Sequence, residues 1–281
     1  MKWHLNPFQC KITEAFDPKY YLDQFETISV AKDRKEQYLK ILKKGNRKAR
    51  RLAKKLARCK KGRRCLSYAC PECTRQFRRW LANQILDIFK NYEDVDLSHI
   101  TIIPDTRRFP LGELINLSPV DMVNAFTRQL KRCGLGHCLV VGAIDFDLCI
   151  HENDESSYAW QPHYHVITAH VPDKKYSVFK RKFPVQRDLQ ILRPSLRRQI
   201  KNRMRQFTYM LKPFHCRRSS FYTAQGKLRH KKGLPLKPDH LRELLTYLDH
   251  FALTNFLVQQ NVHRYGNVLK RKIPVDEKLS P

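Results

Sequence analysis

The sequence predicts an α+β fold, an antiparallel sheet with basic helices packed around it. Three observations carry that reading. Helix-like and strand-like segments follow one another as helices, strand, helix, two strands, helix, helix. The two strand-like runs at 138–150 and 160–171 flank a polar, acidic turn, Glu152-Asn153-Asp154-Glu155-Ser156-Ser157, as in an antiparallel hairpin. The chain has 281 residues, 42% of them hydrophobic, so it can bury a sizeable core. Glycine is scarce and no repeat period occurs, which excludes collagen-like, propeller and solenoid architectures.

The elements follow in order. Residues 1–30 are mixed, with aromatics (Trp3, Phe8, Phe16, Tyr20, Tyr21, Phe25) suited to packing on a larger body. Residues 31–58 are rich in Lys, Arg, Leu and Ala and lack proline, which predicts one long basic helix. Phe77, Trp80, Leu81, Ile85, Ile88 and Phe89 recur at three- and four-residue steps and predict an amphipathic helix over 75–92. Residues 97–103 read as a strand. Ser118-Pro119-Val120-Asp121 is a helix start, with an N-cap serine, proline in the first position and an acid in the first turn. That helix runs to about residue 131, and Gly134 suits its end. Pro194-Ser195 opens a strongly basic helix reaching about residue 211, before Pro213. Pro235 and Pro238 precede a last helix over 241–258. The expected organisation is a basic helical region with a cysteine segment at 1–92, a sheet core at 93–215 and a C-terminal helical extension at 216–281.

Lys and Arg number 55 against 26 Asp and Glu, a net charge of +29. Residues 31–80 hold 20 basic and 3 acidic side chains, residues 174–232 hold 19 and 1, and the stretch between them holds 6 and 13. Two cationic blocks therefore flank a mildly acidic middle. Lys and Arg contacts to phosphate dominate such affinities, so nucleic acid is the leading partner, ahead of an anionic membrane surface. No stretch approaches the ~20 apolar residues of a membrane span. The start, Met1-Lys2-Trp3-His4-Leu5-Asn6-Pro7, shows no signal peptide. A soluble intracellular chain is expected.

Four of nine cysteines cluster as Cys59, Cys65, Cys70 and Cys73, spaced C-x5-C-x4-C-x2-C. Cys70-Pro71-Glu72-Cys73 has the form of one knuckle of a zinc site, and four thiolates close a tetrahedral structural site. The alternative is reduced, unliganded thiols. Cys59 is the least certain ligand, with His4 as a substitute. The basic residues around the cluster, among them Arg75, Arg78 and Arg79, would offset its charge and could touch DNA.

Gln161-Pro162-His163-Tyr164-His165 places two histidines one residue apart in a strand. Side chains alternate faces, so both project the same way, ~7 Å apart along the strand. Two imidazoles so placed can bend towards one metal ion. The preceding strand offers Asp145 and Asp147 on one common face. If the strands pair, either carboxylate can complete a three-ligand site with open positions, which suits a catalytic divalent ion. The plainer alternative is two unrelated strand histidines with surface aspartates.

Tyr209 and Lys212 are three residues apart on the expected basic helix, with Arg205 four before the tyrosine and Arg203 in the same block. A tyrosine beside cations is what covalent phosphoryl transfer needs, since they favour the phenolate and stabilise charge on the phosphate. The alternative is a core tyrosine on a DNA-binding helix.

An arginine-rich CPxC segment, then Gly142-Ala143-Ile144-Asp145, then Pro162-His163-Tyr164-His165, then Tyr209-x-x-Lys212, resembles the HUH endonuclease superfamily over roughly residues 59–215. It looks specifically like the rolling-circle replication initiators of plasmids. The resemblance implies an RRM-like antiparallel core with the histidines on central strands. It implies that His163 and His165 ligate Mg2+ or Mn2+, with Asp145 as third ligand and Asp147 as second choice. Tyr209 would attack the scissile phosphate of single-stranded DNA, leaving a 5′-phosphotyrosine and a free 3′-OH, and Lys212 would assist. The partners would be single-stranded or hairpin origin DNA and a host helicase and polymerase, in a prokaryotic cytoplasm. The chain departs from the pattern in having Gln161 before the proline, an aspartate where many members have glutamate, and Pro213-Phe214 after Lys212. No GxxxxGK[ST] phosphate loop occurs, so no fused helicase is expected. The alternatives are an HUH transposase or relaxase, a zinc-containing repressor whose HUH site is inactive, and an RNA-binding protein.

Overall fold

The computed structural model describes residues 26–272, except 105–107, 152–153, 187–190, 192, 211, 213–214, 224, 226–227, 231–232 and 266–267. His4, Cys10 and the N-terminal aromatics lie outside the described residues. The fold is α+β.

Two helices, α1 (Ile28–Lys43) and α2 (Arg47–Ala57), stand where one long basic helix is expected. The break has a local cause. Asn46 caps α2, its side chain accepting from the Ala49 N–H at 3.0 Å. Gly45 lets the turn pack closely, since a Cβ there would lie 2.7 Å from Ala49 Cβ and from Arg242 Cδ. Helix α3 (Pro71–Ile88) begins with proline directly after Cys70 and buries Phe77, Trp80, Leu81 and Ile85. Helix α4 (Pro119–Arg132) starts as expected, Ser118 accepting from the Asp121 N–H at 3.2 Å, and Gly134 follows it at φ +73°.

The strands are β1 (Leu97–Ile102), β2 (Phe109–Pro110), β3 (Val140–His151), β4 (Asp154–Ala169), β5 (Ser195–Gln199), β6 (Cys216–Tyr222), β7 (Leu228–His230), β8 (Leu234–Pro235) and β9 (Leu257–Gln260), all in one sheet of nine strands among the described residues. Its main path runs β5-β1-β4-β3-β6-β7. The β3–β4 hairpin is antiparallel, as its sequence predicts. The sheet is mixed rather than wholly antiparallel, because β6 returns parallel to β3 (Leu148↔Arg217 to His151↔Ser220). A separate ribbon pairs β10 (Val262–Tyr265) with β11 (Val268–Arg271).

Two other expectations are corrected. Residues 195–199 form an edge strand on β1 (Ile102↔Ser195 to Ser98↔Gln199), not the first turns of a basic helix. The helix that follows, α6 (Arg203–Thr208), is only six residues long. Pairing with the open edge of β1 overrides the helical propensity of Leu, Arg and Gln. The described residues between 216 and 272 are likewise not a helical extension. They hold α7 (Pro238–His250) and strands β6–β11, and residues 257–260 pair with β3 (Val140↔Gln260) instead of continuing α7.

One sheet face packs on α4 and α5 (Asp173–Lys180), where Phe126 stacks on Tyr164 with ring centroids 4.5 Å apart and meets Phe179 at 5.9 Å. Phe146, on the same side of β3, meets Tyr247 of α7 and Phe256. The alternate residues of β3 and β4, Asp145, Asp147, His163 and His165, point to the other face.

Candidate functional site

The hairpin register sets the site. Asp145 lies directly opposite His163, and His165 is flanked by Ala143 on β3 and Thr101 on β1. Directly opposed residues have Cβ atoms ~5 Å apart. Gly142 permits this fit, because a Cβ there would lie 2.0 Å from the His165 carbonyl oxygen. On its other edge, β3 pairs with β9 as far as Ala143 and with β6 from Leu148. Tyr209, Lys212 and His215 come to the site from beyond α6.

Both histidines turn Nδ1 away and Nε2 inward. His163 Nδ1 lies 3.3 Å from the Gln161 carbonyl, and His165 Nδ1 lies 3.1 Å from Thr101 Oγ1. Each Nε2 faces the Asp145 carboxylate, at 3.5 Å for His163 and 3.9 Å for His165. All three side chains are buried, and one ligand atom from each lies within 4.8 Å of the others. His165 Nε2 has no hydrogen-bond partner. Burial holds His165 well below the usual histidine range, so its imidazole is neutral, as a ligand must be. Burial acts to raise Asp145, but Lys212 and His163 hold it well below the usual carboxylate range. Two imidazole nitrogens and a carboxylate, each steadied from behind, fit a divalent ion. Among the described residues this trio could bind a metal.

Asp147 plays a different part. It accepts from Arg218 Nε at 2.5 Å and from Cys216 Sγ at 3.2 Å, and reaches only His163, at 3.9 Å. Of the two carboxylates the sequence left open, Asp145 is the one facing both imidazoles.

Tyr209 ends α6 as its C-cap and is 37% exposed. Its ring centroid lies 5.0 Å from that of His165 and 5.9 Å from that of His99. The two-turn helical face expected for Tyr209 and Lys212 does not form, since α6 stops at Thr208, yet the pair still meets. Lys212 Nζ lies 5.1 Å from the Tyr209 ring centre, 2.6 Å from Asp145 Oδ2 and 3.3 Å from His163 Nε2. Burial lowers the Lys212 ammonium, but Asp145 and Asp147 outweigh it and hold the group above its usual value, hence charged.

Sequence reasoning missed four neighbours. Thr101 supports His165; Arg218 holds Asp147; His215 Nδ1 lies 3.9 Å from Asp145 Oδ1; and the His99 ring packs 5.6 Å from His165. Burial, then Arg198 and Lys212, push His99 down to about 4. Thr101 and His99 alternate on β1 as the histidines do on β4, but only the β1–β4 register shows that they meet.

The four cysteines also converge. Cys59 Sγ lies 3.6 Å from Cys73 and 3.7 Å from Cys70, and Cys65 lies 3.7 Å from Cys73. Thiolates bound tetrahedrally at ~2.3 Å from one ion stand ~3.8 Å apart, so the cluster could hold a zinc ion. Hydrogen bonds from Cys65, Cys70 and Cys73 lower the Cys59 thiol. Lys35 reaches the Cys59 carbonyl at 2.6 Å and Glu72 at 2.9 Å, and Arg64 reaches Glu72 at 2.5 Å, so cations surround the cluster.

Three of the five arginines proposed to contact DNA are committed inside the fold. Arg78 is 3% exposed and donates to the Thr208 carbonyl at 3.3 Å, tying α3 to the end of α6. Arg75 donates to the Glu26 carbonyl at 2.7 Å. Arg203 pairs with Asp94 and donates to the carbonyls of Phe89 and Tyr92. Arg79 is half-buried, and Arg205 is exposed.

Comparison with protein-family models, with curated proteins and with solved structures found no match. Among the described residues no helix is long and apolar enough to cross a membrane.

Proposed function

We propose that this chain is a single-tyrosine nuclease of the HUH type that nicks and rejoins single-stranded DNA, acting as a rolling-circle replication initiator. The observation that carries the reading is the convergence of Asp145, His163 and His165 beneath a half-open Tyr209, with the Lys212 ammonium between them. A Mg2+ or Mn2+ ion held by the trio would neutralise and polarise the scissile phosphate. Tyr209 Oη attacks the phosphorus. The tyrosyl O–P bond forms and the P–O3′ bond breaks. The 3′-oxygen leaves with the bonding electron pair and ends with the proton the phenol gave up. Lys212 remains charged, so it acts as a cation beside the phosphate and not as the base. Attack of a 3′-OH on the phosphotyrosine reverses the step, and no ATP is needed because the bond energy is conserved. A host helicase and polymerase would extend the free 3′ end. A transposase or relaxase would share this chemistry and differ in the DNA recognised.

One observation favours a second reading. Lys212 already satisfies Asp145 at 2.6 Å, as it would in a zinc-containing DNA-binding protein whose HUH site no longer takes a metal.

The test is a denaturing gel of the protein incubated with labelled single-stranded DNA from its own replicon and Mn2+. The expected result is a covalent adduct that disappears with chelator and in Tyr209→Phe, while DNA affinity stays within about twofold. Tight, salt-sensitive binding with no adduct sinks the nuclease reading and leaves the second one.

A further inference from the structure

Helix α2 turns its apolar stripe, Ala49, Leu52, Ala53 and Leu56, into the core. Its outward positions are Arg or Lys except Ala57, and no acidic residue occurs between Glu36 and Glu72. Arg50 donates to the Gly45 carbonyl and Lys55 pairs with Asp249. Arg47, Lys48, Arg51, Lys54 and Arg58 are exposed and have no side-chain partner among the described residues. This face borders a cleft of about 1200 Å³ whose opposite wall is α7. The carboxylates of that wall are engaged: Asp249 by Lys55, Asp239 by Arg242, and Glu243 by the N–H groups of Gly112 and Leu114. Among the described residues, Lys55 is the one α2 cation that pairs with a carboxylate of this cleft.

We propose that α2 and this cleft seat the phosphate backbone of duplex DNA, on a surface separate from the one that handles the single strand. The inference rests on the proposed function only for DNA being the partner. Arg47 to Arg58 spans ~17 Å of helix, a length over which a duplex presents ~10 phosphate charges. Residues 47–64 contain no Phe, Tyr or Trp, and Tyr68 and the cleft-lining Tyr247 are buried. The α2 face therefore presents none of the Phe, Tyr or Trp platforms on which unpaired bases stack. Lys and Arg alone on a regular helix suit the phosphates flanking a groove and carry no base readout.

The experiment titrates the full chain with a fluorescent 20-bp duplex and with a single strand of equal length, from 50 to 200 mM salt. The triple variant Lys48→Gln, Arg51→Gln, Lys54→Gln should lose at least tenfold in duplex affinity, with a salt slope shallower by about 2–3. Its single-strand binding and adduct formation should match wild type. An unchanged duplex affinity, an equal loss for both strands, or a greater loss for anionic vesicles than for duplex overturns the proposal. A lysine-methylation footprint of the wild type needs no variant: the duplex must protect Lys48 and Lys54 and the single strand must not, and the absence of that difference also overturns it. A missing Tyr209 adduct sinks the nuclease reading alone, since the duplex titration is read independently.

Discussion

The Lys212 ammonium and the Asp145 carboxylate are paired at 2.6 Å inside the sheet face that carries His163 and His165. One cation position is thus shared by a lysine of this chain and by whatever ion the trio can bind. Truncating Lys212 to Met leaves a buried carboxylate without its main partner and should cost ~3–5 kcal/mol in the absence of metal. Added Mn2+ should then raise the melting temperature of Lys212→Met more than that of wild type. Equal shifts in the two proteins would show that lysine and metal do not compete.

The same pair sets an acid dependence. Asp145 is depressed in the folded state, so the stability it contributes is complete above the unfolded carboxylate value of ~3.9 and is lost as pH falls through the depressed value. In Lys212→Met the lowering influence of the ammonium is gone and burial dominates. The melting temperature of the variant should fall less than that of wild type between pH 5 and pH 2.5. Parallel curves would exclude Asp145 as a contributor.

Thr101 Oγ1 faces His165 Nδ1 at 3.1 Å and fixes which nitrogen turns inward. Thr101→Val keeps the shape and removes the acceptor. Mn2+ affinity, measured by calorimetry, should fall ~10–100-fold with little change in melting temperature. Unchanged affinity would mean that the tautomer of His165 is set elsewhere.

Gly142→Ala places a methyl group where the His165 carbonyl oxygen and Val166 Cα already stand. The strands must part, at a cost of at least ~1–3 kcal/mol. Because His165 moves with its backbone, metal affinity and stability should fall together. A variant with wild-type melting and wild-type Mn2+ binding would contradict the close approach of β3 and β4.

Cys73 stands in the first turn of α3, 3.6 Å from Cys59 at the end of α2. If the four thiols hold zinc, the purified chain contains about one zinc per molecule and Cys73→Ser contains almost none. The link between α2 and α3 is then lost. At ~2–4 °C per kcal/mol for a chain of this size, the melting temperature should fall by roughly 10 °C or more. Metal analysis by mass spectrometry together with a thermal melt checks both statements.

Features set by neighbours in sequence were legible. Ser118-Pro119 announces α4 and strand alternation puts His163 and His165 on one face, whereas α3 begins at Pro71, inside the C-x2-C knuckle, and not near residue 75 as expected. Two larger errors share one cause. Residues 195–199 have helix-forming side chains but join an edge strand, and residues 257–260 continue an apolar pattern but leave the helix for β3. In both places a pairing partner about 100 residues away outweighs local propensity. Arg78 reads as a surface cation beside Arg79, and only the packing of α3 shows that it points inward to Thr208.

By itself, the sequence determined the donor types, the common face of the two histidines, the cysteine cluster and the cationic excess. Each of these depends on composition or on spacing within a few residues. Only the tertiary structure decided that Asp145 rather than Asp147 faces both imidazoles, that Thr101 and His99 stand behind His165, and that Lys212 reaches the carboxylate after α6 has ended. Those relations depend on strand register and on the path of the chain across the sheet, which are fixed by contacts between residues far apart in sequence.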